Sequence, residues 1–433
     1  MIRTISLVTV ACLLVFGCNS SESSVGQKSK LSMTFAEQNR CGVKSVATGV
    51  SAYLLNDDNS INKAFDLSSA GQASVRVGAG TASFMVIREL DNGLDVYVAK
   101  DIDTGDLGTW YFDTEDTTGC TCRSDGNSKV SVKVSPGNLA DNHLNWPHGN
   151  PASNNATTTY KDIDYCISTS SEYLEPLLVA FANDTSAELR YYVDSNPSEL
   201  VTNNIIDVDL ASIVTVGNAL TINQSEVGQG SLYYASDDIY EFHADYDSLQ
   251  GANLLVDDRV KPLRFSTTKQ LTSGSASSDI KWSVNLPLTK NTSSINYEVP
   301  SADTNALKTF VESNQTSFDF SSDAKLNATL EYFSISDSGK QDQWTIIQGV
   351  SGDRFTQFAL PDSIVRSSTY GESPTGYSMS LIDLVNYDGY LYSDQGKALR
   401  ELFAQSGADG MAQLHPKAWS LDFEIHEVSA TQF

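Results

Sequence analysis

Ser83-Phe84-Met85-Val86-Ile87-Arg88-Glu89-Leu90-Asp91-Asn92-Gly93-Leu94-Asp95-Val96-Tyr97-Val98-Ala99 is the stretch whose reading decides the fold. Two β-rich runs, Ser83 to Leu90 and Leu94 to Ala99, flank Asp91-Asn92-Gly93. Asn-Gly between such runs is the strongest short-range hairpin signal, because both central residues of a type I′ turn need positive φ. Working outward, Val50 to Leu55 reads as a strand and Asn56-Asp57-Asp58-Asn59 as a turn, followed by strands over Lys63 to Leu67 and Ser74 to Val77. Gly78-Ala79-Gly80 breaks the pattern before the hairpin begins. Short strands with turn signals about every 8 to 12 residues argue for a β-sandwich.

The same grammar continues downstream. Gly108 to Phe112 and Lys129 to Val134 bracket a turn at Asp125-Gly126, and the long polar stretch Ser135 to Thr159 follows. Loops of that length are uncommon and often functional. Further strands are predicted over Leu177 to Phe181, Glu188 to Val193, Ile205 to Leu210, Ile213 to Val216, Leu220 to Ile222, Tyr233 to Tyr246 and Lys281 to Leu286. Near the end, Ala302 to Glu312 carries Ala306, Leu307, Phe310 and Val311 on one stripe behind a Ser301 cap, which predicts a helix. A second helix is predicted from Ser393 to Gly407, with strands Asn327 to Ser334, Gln343 to Ile347 and Phe355 to Leu360 between the two. A chain of 433 residues exceeds one hydrophobic core. The divisions expected are a leader (1–17), a flexible tether (18–34), a sandwich module (35–100), a loop-rich module (101–202), a second sandwich (203–299) and a sandwich with two helices (300–433).

Val50-Ser51-Ala52-Tyr53-Leu54-Leu55, Ser69 to Val75 and Val77-Gly78-Ala79-Gly80-Thr81-Ala82-Ser83-Phe84 resemble the strand-turn-strand pattern of prealbumin-like and carboxypeptidase-regulatory-like sandwich modules. The Trp344 strand is similar to the Trp-containing strand of fibronectin- or immunoglobulin-like sandwiches. The fold implied is mainly β: tandem immunoglobulin- or prealbumin-like β-sandwich modules, with two short helices in the C-terminal one. Those modules serve as spacers, stabilisers or binding domains, so the resemblance implies no reaction.

The N-terminus speaks to location. Arg3, an apolar run from Ile5 to Phe16 and then Cys18 read as a signal peptide, its apolar run too short to span a bilayer as a helix. Val15-Phe16-Gly17-Cys18 resembles the lipobox of bacterial lipoproteins, which implies that Cys18 becomes the first mature residue and carries acyl chains; Phe16 is bulkier than the residue usual there. Several chains anchor stably where one holds marginally. Asn19 to Ser32 is Ser-rich and polar, the composition of a tether. Asn19 is not the Asp that resembles an inner-membrane retention signal, which points to the outer membrane.

Composition excludes some partners. The chain has 54 acidic and 28 basic residues, net −26. Loss of the leader removes Arg3 and leaves −27. A polyanion such as nucleic acid is repelled by that charge. Salt adaptation and solubility account for it, and divalent cations such as Ca²⁺ are the functional counterpart.

Outside the leader and the lipid-bearing residue, four cysteines remain: Cys41, Cys120, Cys122 and Cys166. An even count in an oxidising compartment reads as two disulfides. Cys120 and Cys122 share one face of an extended chain, so each is expected to pair with Cys41 or Cys166, in an order the spacing leaves open. Cys-x-Cys does not suit a zinc site, which prefers wider spacing.

No Gly-x-Ser-x-Gly elbow, His-Glu-x-x-His pair or Walker loop occurs, and no cofactor is expected. His143 and His148, in Asp141 to His148, have a spacing that reaches one metal if the loop brings them together. Trp146 and the segment Tyr387-Asp388-Gly389-Tyr390-Leu391-Tyr392 are candidates for stacking on sugar rings, with Tyr387, Tyr390 and Tyr392 as the contacting side chains. His415 and His426 have no partner at diagnostic spacing. The reading adopted is a non-catalytic binding or structural lipoprotein of the cell envelope, with a surface polysaccharide or envelope protein as partner. The alternative is a hydrolase of extracellular polysaccharide with its site in the C-terminal module or the Ser135 to Thr159 loop.

Overall fold

The computed structural model describes residues 29–114 apart from 40–42 and 79, short segments between 118 and 255, most of 260–385, and 424–432. The chain is mainly β. A sheet of twelve strands forms its spine. From edge to edge these are Tyr240–Tyr246, Gln229–Ser236, Val260–Thr272, Ser278–Pro287, Glu424–Gln432, Gly376–Val385, Ala328–Asp337, Lys340–Gln348, Gly93–Asp103, Thr81–Leu90, Val50–Leu55 and Ile61–Ala64. Every neighbouring pair is antiparallel but one: Lys340–Gln348 runs parallel to Gly93–Asp103.

A smaller sheet lies over one face of the large one. Ser29–Asn39 pairs antiparallel with Lys44–Val46 and Gln72–Val77 and parallel with Asp106–Thr114. Side chains alternate faces along a strand, and the core shows it. Phe84 and Val86 join Leu31, Met33, Phe35, Trp110 and Phe112 in the layer between the two sheets. Met85 and Ile87 face the other way, into a second core with Val96, Trp282, Phe333, Trp344 and Met379. All four of Phe84, Met85, Val86 and Ile87 are fully buried. That is why the run reads as continuously apolar: strands covered on both faces have no polar side to show. Removing such a side chain from water contributes about 1.5–3 kcal/mol each.

On the second core lies the helix Ala302–Glu312. It begins and ends where the apolar stripe predicts, and Leu307, Phe310 and Val311 are its buried face against Glu424–Gln432, Ser278–Pro287 and Gly376–Val385. Ser301 and the helix predicted over Ser393 to Gly407 lie outside the described residues.

Several sequence expectations change. The tether expected to reach residue 34 gives way to strand at Ser29, because Leu31, Met33 and Phe35 alternate into the core. Asp106–Thr114, assigned to the loop-rich module, is a strand of the small sheet, so a boundary at residue 100 cuts through one sandwich. Phe358 to Leu360, expected as strand, is irregular, yet Phe358 is buried with its ring 6.4 Å from Trp344.

The hairpin is present for a different reason than expected. Leu90 pairs with Gly93, so the turn residues are Asp91 and Asn92, and neither has positive φ. Gly93 is needed by proximity: a Cβ there would lie 1.7 Å from the carbonyl oxygen of Gln341. The Gln341 N–H donates to Asn92 O at 2.8 Å, and the Leu94 N–H donates to Asp342 Oδ1 at 2.9 Å in a buried bond. Beside this seam Arg88 and Asp95 sit directly opposite each other, both buried. Arg88 also stacks its guanidinium 4.8 Å over Phe112 and lies 3.9 Å from Glu37. Burial pushes the Asp95 carboxyl above its ordinary range; Arg88 pulls it back and Asp342 adds to the rise.

Two outcomes are expected. Gly93→Ala drives a methyl into a backbone carbonyl; overpacking of this kind costs about 1–3 kcal/mol, more than the ~0.4–1 kcal/mol a glycine replacement recovers from the unfolded chain. The urea midpoint should fall, and an unchanged midpoint would refute the close approach. For Asp95, the folded state holds its proton to higher pH than the unfolded state, so its contribution to stability falls as pH rises through the window just above its ordinary value. Asp95→Asn removes that titration, so wild type should lose ground relative to the variant as pH rises from about 4; urea midpoints of both proteins across pH check this.

Candidate functional site

The strand Ala328–Asp337 carries Glu331, Phe333 and Ile335 on the face that meets the second core. Glu331 is therefore an acid on an otherwise apolar face, and it is fully buried. Its Cα partners are Ile346 on one side and Met379 on the other. Two residues along from these stand Gln348 and Tyr377, the diagonal positions that long side chains reach across a sheet. Both donate to the carboxylate: Gln348 Nε2 to Oε2 at 2.9 Å and Tyr377 OH to Oε1 at 3.0 Å.

Arg354 extends the chain of contacts to the helix. Its guanidinium lies 4.5 Å over the Tyr377 ring and 5.2 Å over Phe310. Nη1 donates to Ser313 O at 2.9 Å and Nη2 to Val311 O at 3.3 Å. A cation at the carbonyl end of a helix is favoured by the helix dipole and satisfies carbonyls that lack an intrahelical partner. Burial above all, and then the Glu331 charge, push the Tyr377 phenol well above its usual range, with Arg354 opposing. Tyr377 thus remains a donor to Glu331, and its ring lies under the Arg354 guanidinium that takes the helix carbonyls.

Outside this network the helix and the segment after it enclose a groove of about 370 Å³, lined by Ala306, Thr309, Phe310, Gln315, Ser317, Phe318, Asp319 and Phe320. That volume lies at the small end of the range for ligand sites. Its floor is a triple of rings, Phe310 edge-on to Phe318 at 5.6 Å and Phe318 stacked on Phe320 at 5.7 Å. The rim is polar. Asp319 accepts from Ser321 Oγ and, at 2.9 Å, from Ser321 N, which hold its carboxyl below the usual range and aim it. Among the described residues the groove thus offers ring edges beneath one carboxylate, one amide and two hydroxyls.

The residues singled out by sequence are distributed otherwise. His143 and Trp146 lie at the two ends of the strand His143–Trp146, where His143 pairs with Ser153 and Trp146 with Gly149 across a hairpin. Cys120 and Cys122 fall on the strand Cys120–Arg123 and Cys166 on Tyr165–Ser168. Cys18, Cys41, His148, Tyr387, Tyr390 and Tyr392 lie outside the described residues. His426, for which the sequence offers no partner at diagnostic spacing, has its Nε2 3.1 Å from Glu424 Oε2. The two are i and i+2 on one strand, a spacing that puts them on the same face, and Asp383 is the Cα partner of His426 in the next strand. Sequence reasoning passed over Glu331, Arg354 and Asp319. For Glu331 a signal existed, since it shares the alternation of Phe333 and Ile335; for Arg354, set by a contact between distant segments, there was none.

No family model matches the chain, and no curated protein matches it. Among solved structures, two B repeat units of the collagen-binding protein of Staphylococcus aureus align at 9% identity with a TM-score of 0.14, over 82% of this chain and 93% of that one. A correspondence that loose identifies no family.

Glu331→Gln tests the buried network. An amide offers one acceptor where the carboxylate offers two, so one of the Tyr377 and Gln348 bonds is lost or reversed, at a cost of about 1–3 kcal/mol. The urea midpoint should fall accordingly; an unchanged midpoint would show that the network contributes nothing to seating the helix.

Proposed function

We propose that this protein is a lipid-anchored component of a bacterial cell envelope that binds a neutral polysaccharide without cleaving it. Attachment rests on the leader and the Val15-Phe16-Gly17-Cys18 box, with Cys18 as the acylated residue and the outer membrane as the expected site. The first described strand begins at Ser29, with ten residues, 19–28, between it and Cys18 with its lipid. Ten residues reach at most about 35 Å when extended. The anchor therefore keeps the body close to its membrane.

The observation that supports binding over catalysis is the lining of the groove. Hydrolysis of a glycosidic bond ordinarily needs two carboxyl groups about 5–9.5 Å apart, and among the described residues one carboxyl, that of Asp319, lines the groove. One carboxylate, an amide and hydroxyls over ring edges make a hydrogen-bonding set suited to a sugar's hydroxyls and its apolar face. Net charge of −26 disfavours acidic polymers and leaves neutral ones. An envelope protein as partner, and divalent cations, stand behind this reading.

One observation favours the alternative of a polysaccharide hydrolase: Glu424 and His426 share a partly exposed edge of the second core. A single experiment separates the two. Wild type, Cys18→Ala, Asp319→Ala and Glu424→Gln proteins are fractionated and applied to immobilised neutral glycans. Cys18→Ala should appear in the soluble fraction, and Asp319→Ala should bind about tenfold more weakly, the loss of roughly one charge-assisted hydrogen bond. Failure of wild type to bind any neutral glycan sinks the binding reading. Release of reducing ends that stops in Glu424→Gln selects the hydrolase.

A further inference from the structure

The strand Cys120–Arg123 pairs antiparallel with Tyr165–Ser168, and the register sets Cys122 directly opposite Cys166, with Cys120 opposite Ser168. Directly opposed residues in an antiparallel pair have Cα atoms about 4.5 or 5.5 Å apart, according to whether the pair is the narrow or the hydrogen-bonded kind. Both values fall inside the roughly 4.4–6.8 Å that a disulfide spans. Cys120 is displaced from Cys166 by a full two-residue step. The register thus discriminates between two cysteines that the sequence leaves equivalent.

A second set of contacts points the same way. Asn39 and Val43 close a turn on each other, Asn39 N donating to Val43 O at 3.1 Å and Val43 N to Asn39 Oδ1 at 2.9 Å. That turn is held against the residues just ahead of Cys120: Asn39 Nδ2 donates to Thr118 O at 2.9 Å, and a Cβ on Gly119 would lie 3.5 Å from Val43 Cγ2. The chain flanking position 41 therefore meets the chain flanking position 120.

We infer that Cys122 and Cys166 form a cross-strand disulfide, leaving Cys41 and Cys120 to bond each other. Each bond forms by exchange with an external disulfide oxidant. One thiolate attacks the oxidant's disulfide and releases one of its sulfurs as a thiol; the second thiolate attacks the mixed disulfide and releases the other. Two protons and two electrons pass to the oxidant per bond. The two bonds, separated only by Thr121, tie Tyr165–Ser168 through Cys120–Arg123 to the small sheet, so a cut within residues 124–164 leaves both fragments attached to the body. The pairing rests on the exported location only for its oxidant; the register itself is independent of compartment.

Trypsin cannot separate Cys120 from Cys122, so a tryptic map of wild type joins three peptides under any outward pairing. Double variants resolve it. Every refolded protein, wild type included, carries Cys12→Ser and Cys18→Ser so that four cysteines remain. The full chain is refolded in a glutathione redox buffer, free thiols are alkylated, and non-reduced digests are analysed by mass. Cys41→Ser with Cys120→Ser should give a quantitative link between the peptides holding Cys122 and Cys166. Cys122→Ser with Cys166→Ser should link those holding Cys41 and Cys120. The crossed variants, Cys120→Ser with Cys166→Ser and Cys41→Ser with Cys122→Ser, should leave two free thiols each. Backbone fragmentation at Thr121 in the oxidised wild type reads the same connectivity with all four cysteines in place. Quantitative bonding in the crossed variants, or four free thiols in the refolded wild type, overturns the assignment. If it holds in glutathione while protein isolated from cells carries no lipid and has Cys41, Cys120, Cys122 and Cys166 all as free thiols, the export reading fails and the pairing stands.

Discussion

The parallel seam between Gly93–Asp103 and Lys340–Gln348 is the constraint on which the rest of the structure depends. It joins segments some 250 residues apart in sequence, and without it the twelve-stranded sheet separates into an N-terminal piece and a C-terminal one. Closing so long a loop costs entropy before any contact rewards it, so the seam has to be specific as well as apolar. Three features make it so. Gly93 leaves room for the Gln341 carbonyl, Asn92 O accepts the Gln341 N–H, and Asp342 turns a buried carboxylate oxygen onto the Leu94 N–H. A slip by one residue would set a Cβ against that carbonyl and strand the Asp342 charge in the core. Register is thus enforced by what a wrong alignment would cost.

The same logic governs how a strongly acidic chain manages acids inside its cores. Asp95, Asp342 and Glu331 are all buried, and a buried charge is tolerated only when paired and hydrogen-bonded. Each has a polar partner on a neighbouring strand rather than on its own. Asp95 faces Arg88 across the hairpin, Asp342 takes a backbone N–H across the seam, and Glu331 takes Gln348 and Tyr377 from the strands on either side. The acids therefore tie strands together in pairs that exist only in the correct sheet order, contributing specificity even where their net energy is small.

Strand positions were legible because alternation and turn chemistry are local. Val50 to Leu55, the turn at Asn56 to Asn59, the hairpin and the helix Ala302–Glu312 are where the pattern of apolar residues places them. Sheet membership was not. Asp106–Thr114 reads as a strand in either module, and only its parallel pairing with Ser29–Asn39 assigns it. Gly93 was noticed for its conformational freedom, whereas its role is space for a neighbour contributed by the far end of the chain. Leu31, Met33 and Phe35 carry a plain alternation, hidden by the Ser-rich stretch before them that reads as tether. The candidate groove was the least legible, since Phe310, Phe318 and Asp319 gain a common purpose only once the helix is seated.

That seating ties the groove to the interior. The groove's inner wall is Phe310, and Phe310 is held from the other side by the Arg354 guanidinium, which also takes the helix's last carbonyls. Arg354 in turn lies on the Tyr377 ring, whose hydroxyl is fixed by Glu331. Glu331, the Tyr377 ring, the planar Arg354 cation and the Phe310 ring thus form one continuous chain of contacts from the sheet to the groove. A flexible lysine in place of Arg354 would supply the charge without the plane, and neither ring would be constrained. The placing of Phe310, and with it the groove's inner wall, is therefore a property of the sheet beneath it.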